Sequence, residues 1–204
     1  MDIELIAKDF LDKKRSNRYR DWFFPYLINE LGYKSVIEVG TNVGDYSKCL
    51  LNACRSITIN CIDSYPNGFG SEGYCDSSGD LRLEKARCTL KQYLECKRVT
   101  ILRMTSLDAS FKFPNDSIDF AYLDGDHTLE GVILDLNCWI NKVKKNGIIA
   151  GHDYKDGPNS GITDWQNKQL PYGVKTAVDR FCARYNYKLN VVGGRIKNFW
   201  FVKS

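Results

Sequence analysis

The fold of this chain is decided by a nine-residue stretch, VIEVGTNVG (residues 36–44). An apolar run that ends at Gly40 is typical of a short buried strand, and a helical pattern follows over residues 44–53. Gly40 permits a tight turn of the backbone, and Gly44 permits a ligand to approach the start of the helix. The spacing E-x-G-x-x-x-G differs from the dinucleotide-binding pattern G-x-G-x-x-G. A carboxylate at Glu38 suits a ligand with a positive charge better than a pyrophosphate.

Strands and helices alternate on both sides of this turn, which predicts a parallel sheet with helices on both faces. The last two strand patterns are joined by a short connection around Gly193 and Gly194, so we expect them to pair antiparallel. The first 33 residues follow a helical pattern. The predicted strands are 35–40, 57–65, 99–104, 117–125, 147–154, KLNVVGG (188–194) and KNFWFVKS (197–204). The predicted helices are 44–53, 80–96, 128–145 with Thr128 as cap, and 173–185.

Composition excludes some classes of function. A net charge of +4 is too mild to indicate nucleic acid, and no apolar run approaches the length of a membrane span. Eight cysteines without a CxxC pair give little support for zinc and suit a reducing compartment, and the N-terminus is unlike a secretory signal. We therefore expect a cytoplasmic protein. Basic residues gather in two places that we interpret as solvated helix faces: Lys13, Lys14, Arg15, Arg18 and Arg20, and Lys142 to Lys145.

Polar residues follow the next two strands. Asp63 ends its strand about 20 residues after the glycine turn, where an acid can accept hydrogen bonds from ribose hydroxyls. The alternative is that Asp63 only caps a loop. We group the adjacent Ser64 with it as a cofactor-binding residue. Ser106 lies just past the following strand, where it can face an adenine ring.

Two further strands end in Asp and His: YLDGDH (122–127) and IIAGHDY (148–154). These segments contain both histidines of the chain. Because adjacent parallel strands end at the same edge of a sheet, Asp124, His152 and Asp153 can converge on one divalent cation, Mg²⁺ or Mn²⁺. The alternative is that the first acids cap the following helix and that His152 is hydrogen-bonded within the sheet edge.

The motifs VIEVGTNVG, CIDSY, SIDFAYLDGDH, GIIAGHDY, GVKTAVDRF and FWFVKS, in this order, resemble a class I S-adenosylmethionine-dependent methyltransferase over residues 33–204. Among these enzymes, the chain is most similar to the small metal-dependent O-methyltransferases, including those that act on sugars of macrolides and other glycosides. The resemblance implies a Rossmann-like, seven-stranded core over 33–204 and a helical extension over 1–32, in one domain. It also implies that S-adenosyl-L-methionine contacts its methionine part with Glu38, Gly40, Thr41, Asn42 and Gly44, its ribose with Asp63 and its adenine with Ser106. The chain has Asn42 where the family loop more commonly has a glycine.

In similar sugar O-methyltransferases, an aspartate after this strand binds the metal, and a histidine three residues later acts as the base. Asp124 and His127 have that spacing, and Asp124 also counts among the predicted cofactor-binding residues. Asp126 is the competing base. The second strand of those enzymes often carries two acids, where this chain has His152 and Asp153, so the third ligand stays open.

We therefore expect a metal-assisted O-methyltransferase that acts on a hydroxyl of a sugar or glycan. One alternative is a catechol-type enzyme with a phenolic acceptor; another is a non-catalytic cofactor-binding module of a glycan-modifying assembly. A homodimer, or one domain of a larger polypeptide, is compatible with the size of the chain. The N-terminal helix can cover the site, the core or a dimer interface. The loops 64–79 and 155–172 are candidate lids, and the second carries a possible aromatic platform for a sugar: Tyr154, Trp165 and Tyr172.

Overall fold

The computed structural model describes residues 2–13, 19–67, 78–160 and 168–204. The helices are α1 (Ile3–Lys13), α2 (Tyr19–Glu30), α3 (Asp45–Ala53), α4 (Gly79–Thr89), α5 (Lys91–Glu95), α6 (Ser106–Ser110), α7 (Leu129–Ile140) and α8 (Val174–Tyr185). The strands are β1 (Ser35–Val39), β2 (Thr58–Asp63), β3 (Val99–Arg103), β4 (Ile118–Leu123), β5 (Val143–Gly151), β6 (Asp156–Gly157), β7 (Tyr172–Gly173), β8 (Asn190–Gly193) and β9 (Lys197–Val202).

Seven strands form one sheet in the order β3-β2-β1-β4-β5-β9-β8. Strands β1 to β5 pair in parallel, whereas β9 pairs antiparallel with both β5 and β8. The predicted Rossmann-like sheet with an antiparallel last strand is therefore confirmed. The strand order reverses between β1 and β4, and ligands of open α/β sheets bind beyond the carboxyl ends of strands at such a point.

Alternate residues of each strand supply the two cores, as the two-residue period of a strand requires. On β4, Phe120 and Tyr122 belong to one core, and Ala121 and Leu123 belong to the other. Helices α1, α2 and α3 pack on the first face, and α7 and α8 pack on the second. The helical layers thus cover both faces of the sheet, as predicted.

The N-terminal helices cover the core of the first face. Phe23, Phe24 and Leu27 of α2 are completely buried, and the ring of Phe24 lies 5.7 Å from that of Tyr122 in β4. Phe10 of α1 packs on Phe23 with ring centroids 5.6 Å apart. The sequence left three roles open for these helices, and the structure shows that they cover the core. The first turn of α2 also reaches the edge of the sheet where β4 ends.

The predicted helix over 128–145 is too long. Helix α7 ends at Ile140, and Val143 already pairs with Ile118 as the first residue of β5. Lys142 to Lys145 therefore lie in a turn and a strand instead of on a helix face. The predicted helix over 80–96 is divided at Leu90 into α4 and α5. No helix in the described parts of the chain is long and apolar enough to cross a membrane.

Strands β6 and β7 pair with each other and close the base of the second candidate lid. Gly173 donates a backbone hydrogen bond to the carbonyl of His127 (2.9 Å), which ties this base to the end of β4. The Asp156 carboxylate accepts hydrogen bonds from the backbone N–H (3.1 Å) and hydroxyl (2.8 Å) of Thr176 in α8. These contacts hold the base of this candidate lid beside the end of β4 and the start of α8.

Candidate active site

The glycine turn packs directly against the segment that follows β4. A side chain at Gly40, where φ is +87°, would collide with the carbonyl oxygen of Asp124. Asn42 has a φ of 49°, in the left-handed region that asparagine tolerates better than most residues. This explains how Asn42 occupies a loop position where glycine is commoner. Gly44 makes room for a neighbour, since a Cβ there would lie 2.9 Å from Leu90 Cδ1.

Glu38 lies beneath this turn and is 2 % exposed. Its Oε2 accepts a short hydrogen bond from the Ser47 hydroxyl, which also lies 3.0 Å from Cys61 Sγ. Burial raises the pKa of Glu38 to about 8, although the Ser47 hydrogen bond acts in the opposite direction. A cationic ligand group beside this carboxylate would offset the cost of its burial.

Asp63 connects the turn to the end of β2. Its Oδ2 accepts from the backbone N–H of Asn42 (2.8 Å), and its Oδ1 accepts from that of Tyr65 (2.7 Å). Burial raises the pKa of Asp63, while these two hydrogen bonds and the charge of Arg82 lower it. Ser64 is exposed at the surface. The loop role that we weighed for Asp63 is therefore present, and each carboxylate oxygen keeps a lone pair for a ligand hydroxyl.

Ser106 is the first residue of α6, and its side chain points toward α7. Its Oγ accepts from Trp139 Nε1 (2.9 Å), and the buried carboxyl of Asp135 lies nearby. Burial raises the pKa of Asp135 to about 7. Sequence reasoning missed Asp135, because an acid within a helical pattern normally lies on the solvated face. The predicted contact of Ser106 with adenine stays a prediction.

Several buried polar atoms around the turn have no hydrogen-bond partner among the described residues. They include Thr41 Oγ1, Asn42 Oδ1, Tyr46 Oη and Tyr65 Oη. Such atoms are rare in folded proteins, because an unsatisfied buried polar group costs about 1–3 kcal/mol. These atoms fit a polar ligand that binds along this turn.

The two Asp-His strand ends converge, as the sequence predicted. His127 Nε2 lies 3.2 Å from Asp124 Oδ1 and 3.5 Å from Asp153 Oδ2. His152 Nδ1 lies 3.3 Å from Asp153 Oδ2 and 3.7 Å from Asp124 Oδ1. One ligand atom from each of Asp124, His152 and Asp153 falls within a group whose members are all within 4.8 Å of one another. Two carboxylates and two imidazoles thus face one small space.

The charged groups in this cluster shift one another's pKa. Burial works against ionisation of Asp153, but the hydrogen bond from His152 and the nearby positive charges lower its pKa to about 2. Burial lowers the pKa of His127, yet the hydrogen bond to Asp124 and the surrounding carboxylates outweigh this effect and raise it. Asp153 has a left-handed φ of 50°, which turns its side chain to the same side of the edge as Asp124. The cluster therefore concentrates negative charge that a cation would neutralise.

Tyr172 and Lys155 border the cluster on the side of the candidate lid. The Tyr172 hydroxyl donates to Asp153 Oδ2 (3.2 Å), and its ring centroid lies 5.0 Å from that of His127. Lys155 Nζ lies 4.4 Å from the Tyr172 ring centroid and 3.9 Å from Asp153 Oδ1. Tyr154 points elsewhere, since its hydroxyl hydrogen-bonds to Asp179 (2.5 Å). Of the predicted aromatic platform, Tyr172 borders the site and Trp165 is outside the described residues.

Asp126 faces the start of α7 instead of the cluster. Its Oδ1 accepts from the backbone N–H of Thr128 (2.8 Å), and a side chain at Gly131 would collide with its carboxyl group. Thr128 is the N-cap of α7, as predicted, and its hydroxyl accepts from Gly131 N (3.1 Å). The capping role that we weighed for the acids of this segment is therefore present at Asp126, whereas His127 faces the cluster.

Arg20 is a site residue that sequence reasoning did not find. Its Nη1 lies 3.5 Å from Asp124 Oδ2, and its guanidinium lies 4.7 Å from the ring centroid of Tyr46. It also lies near the buried hydroxyl of Tyr122. The interpretation of Arg20 as part of a solvated helix face is wrong. No local signal could correct it, since Arg20 is about a hundred residues away from Asp124 in the sequence.

Comparison with known proteins assigns the class. Residues 37–154 match the methyltransferase domain family, and the chain belongs to that family. Its fold is that of class I S-adenosylmethionine-dependent methyltransferases, so the predicted class is confirmed.

Individual relatives are distant. The chain is 29 % identical over 133 residues to protein R132 of Acanthamoeba polyphaga mimivirus, a match that covers 62 % of this chain and 56 % of that protein. It is 22 % identical over 175 residues to protein y4gI of Sinorhizobium fredii, covering 81 % of this chain and 18 % of that protein. The chain thus spans little more than half of one curated relative and less than a fifth of the other.

Solved structures share the fold across nearly the whole chain. A Staphylococcus aureus protein assigned as a caffeoyl-CoA O-methyltransferase superimposes with a TM-score of 0.67 at 15 % identity, covering 99 % of this chain and 92 % of that chain. The methyltransferase PaMTH1 of Podospora anserina, solved with S-adenosylhomocysteine bound, gives a TM-score of 0.61 at 15 % identity, with coverage of 99 % and 86 %. The similarity includes the N-terminal helices, which lie outside the family match.

Proposed function

We propose that the protein is an S-adenosylmethionine-dependent O-methyltransferase that methylates a hydroxyl of a sugar or glycan with the help of a divalent cation. The observation that carries the proposal is the convergence of Asp124, His127, His152 and Asp153 beside the glycine turn. The turn and the cluster both lie within residues 37–154, the segment that matches the methyltransferase domain family.

Cofactor binding is supported by the polar groups of the turn. Asn42 and Tyr65, whose backbone N–H groups bind the two carboxylate oxygens of Asp63, each carry an unpartnered side-chain oxygen. The remaining lone pairs of Asp63 suit the two ribose hydroxyls. The carboxyl of Glu38, buried with a raised pKa, suits the positive charge of the methionine part.

Cation binding is supported by the chemistry of the donors. Asp124, His152 and Asp153 would hold the ion, and this set of two carboxylates and one imidazole suits Mn²⁺ or a later metal better than Mg²⁺. A bound divalent cation stabilises a developing alkoxide and orients it. The hydrogen bond from Tyr172 to Asp153 would fix the direction of one ligand, as outer partners of metal ligands do.

The residues around this space account for the rest of the chemistry. His127 Nε2 faces the same space as the carboxylate oxygens and hydrogen-bonds to Asp124 Oδ1 (3.2 Å). With these carboxylates engaged by a cation, this nitrogen would be free to accept the proton of the acceptor hydroxyl. The acceptor oxygen then forms a bond to the methyl carbon as the carbon–sulfur bond breaks, and the sulfur keeps the electron pair. The products are a methyl ether, S-adenosylhomocysteine and a proton on His127. General-base assistance of this kind contributes about 10²–10⁴-fold.

The sugar acceptor rests on the resemblance of LDGDH and GHDY to sugar O-methyltransferases. It is supported by two polar groups at the rim. The Tyr172 hydroxyl, whose proton is donated to Asp153, can accept a hydrogen bond from a sugar hydroxyl, and the Lys155 ammonium can donate one.

A phenolic acceptor is the second candidate. The Tyr172 ring, 5.0 Å from His127 and inclined to it by 32°, offers an aromatic surface beside the base for a flat acceptor. The fold that the chain shares with the Staphylococcus aureus protein is compatible with this candidate as well.

Three measurements test the proposal in order. Calorimetric titration with S-adenosylhomocysteine should give micromolar binding, and no binding would remove the proposal. Radiolabelled methyl transfer to a panel of glycosides and catechols should then give product with glycosides, whereas product with catechols alone would favour the phenolic candidate. The same assay after dialysis against chelator should lose activity and regain it with Mn²⁺; full activity in chelator would remove the cation from the proposal.

A further inference from the structure

Arg20 is the second residue of α2, outside the segment 37–154 that matches the family. Its guanidinium nevertheless reaches the sheet edge between the glycine turn and the end of β4. There it lies 3.5 Å from Asp124, near the Tyr122 hydroxyl and over the ring of Tyr46. The N-terminal extension thus adds a positive charge to a site that the family segment lines with acids.

Two arginines border the acids of the cofactor turn in the described residues, and they act at opposite ends. The charge of Arg20 acts on Glu38 and Asp124, at the end predicted to hold the methionine part. The charge of Arg82 acts on Asp63, at the end predicted to hold the ribose. The two ends of the site are therefore electrostatically distinct.

The methionine part of the cofactor carries an ammonium group and an α-carboxylate. Glu38 and Asp124 attract the ammonium and repel the carboxylate, and a carboxylate buried without a positive partner is costly. A guanidinium can hold a carboxylate with two parallel hydrogen bonds. Building on the proposed function, we propose that Arg20 binds the α-carboxylate of the methionine part of S-adenosylmethionine.

The surroundings of Arg20 hold it ready for this role. The guanidinium of Arg20 makes a cation–π contact with Tyr46. The nearby Tyr122 hydroxyl is held in place because it donates to Asn198 Oδ1 (2.8 Å). Its distance of 3.5 Å from Asp124 is long beside the 2.7–2.9 Å of a close charge-assisted hydrogen bond. Arg20 therefore has donor capacity left for a ligand, since a guanidinium carries five N–H groups.

The rival role for Arg20 is to orient Asp124 without touching the cofactor. Arg20 faces Asp124 Oδ2, whereas both histidines face Oδ1, so the arginine can fix which oxygen meets the cation. The two roles differ in one respect. A residue that only orients Asp124 affects ligands with and without an α-carboxylate alike.

The test compares two ligands that differ in one group. S-adenosylhomocysteine and S-adenosyl-3-thiopropylamine, which lacks the α-carboxylate, are titrated calorimetrically into wild type and Arg20→Gln in the presence of chelator. We expect wild type to bind S-adenosylhomocysteine about 10–100-fold more tightly, and Arg20→Gln to lose most of this preference. Arg184→Gln is the control, because exposed Arg184 also lies over a tyrosine ring, that of Tyr185 at 5.6 Å, and it should keep the preference.

The outcomes separate the possibilities. An equal loss of affinity for both ligands in Arg20→Gln, or an unchanged preference, overturns the proposal, and so does a wild type that binds both ligands equally. A wild type that binds neither ligand overturns the proposed function and this inference with it. If Arg20→Gln fails to fold, Arg20→Lys is tested instead, because lysine keeps the positive charge but lacks the paired donors of a guanidinium. A reduced preference for S-adenosylhomocysteine in Arg20→Lys supports the proposal, and the wild-type preference overturns it.

Discussion

Strand β4 carries one aspartate at its beginning and meets another just past its end, and the two have opposite surroundings. Asp119 accepts hydrogen bonds from the backbone N–H groups of Lys34 (2.8 Å) and Ser35 (2.9 Å) and from Lys144 Nζ (2.7 Å). Asp124 faces two imidazoles and a guanidinium, all at 3.2–3.7 Å. The Asp119 carboxylate uses its hydrogen-bonding capacity within the fold. The Asp124 carboxylate has longer contacts and keeps capacity to bind a ligand or a cation.

This difference separates stability from function along a single strand. The hydrogen bonds to Asp119 lower its pKa despite partial burial, as expected for a carboxylate that supports the folded state. Asp124 shares its space with His127, His152 and Asp153, an arrangement that a bound cation would complete. Four substitutions, taken from the largest expected effect to the smallest, test whether Asp119 contributes to stability and Asp124 with its neighbours contributes to activity.

Asp124→Asn should reduce methyl transfer about 10³-fold or more, because it removes a charged ligand from a site whose cation stabilises the reacting oxygen by several kcal/mol. The thermal midpoint of unfolding should stay close to that of wild type. Activity is measured by radiolabelled methyl transfer and stability by calorimetry. A variant that keeps wild-type activity would contradict the assignment of Asp124 as a ligand.

His127→Gln should reduce the turnover number about 10²–10⁴-fold through loss of the general base. Binding of S-adenosylhomocysteine should be nearly unchanged, since His127 faces the cluster and not the glycine turn. Asp126→Asn serves as the comparison, because its carboxylate hydrogen-bonds to the start of α7. A larger loss of turnover in Asp126→Asn than in His127→Gln would make Asp126 the base.

Asp119→Asn should lower the free energy of unfolding by about 1–3 kcal/mol, since hydrogen bonds to a charged acceptor are lost. Because the folded-state pKa of Asp119 is lowered, its contribution is complete above the unfolded pKa of about 3.9 and is lost as pH falls through the lower folded value. The stability difference from wild type should therefore be constant near neutral pH and shrink below about pH 4. Urea titrations across this range measure it, and methyl transfer at neutral pH should be unaffected.

Tyr172→Phe should weaken Mn²⁺ binding about tenfold, because it removes the hydrogen bond that orients Asp153 while keeping the ring beside His127. The apparent affinity for Mn²⁺ follows from activity at increasing metal concentration. Tyr154→Phe is the matched control, since the hydroxyl of Tyr154 bonds to Asp179 instead. Equal effects from the two substitutions would mean that the Tyr172 hydroxyl has no particular role at the site.

Much of the site was predictable because its residues stand at positions that the fold brings together by rule. Gly40, Asp63, Asp124 and Asp153 each lie at or just after the carboxyl end of a parallel strand, and such ends meet at one edge. Element boundaries were less predictable. The predicted helix after Thr128 continued over residues 141–145, which are polar and basic apart from Val143 and contain no Gly or Pro to end a helix, whereas in the structure the helix ends at Ile140 and Val143 pairs with Ile118.

The sequence by itself determined the class of the protein, the parallel sheet with its antiparallel last strand and the convergence of the two Asp-His strand ends. The class follows from the resemblance of the ordered motifs to methyltransferases, whereas the sheet and the convergence follow from local periodicity and from fixed rules of chain connection. Only the tertiary structure decided that Asp126 caps a helix, that Asp135 is buried beside Ser106, and that Arg20 reaches Asp124. The reason is physical: such contacts depend on how whole helices pack, and no spacing within the sequence encodes the angle at which α2 crosses the sheet.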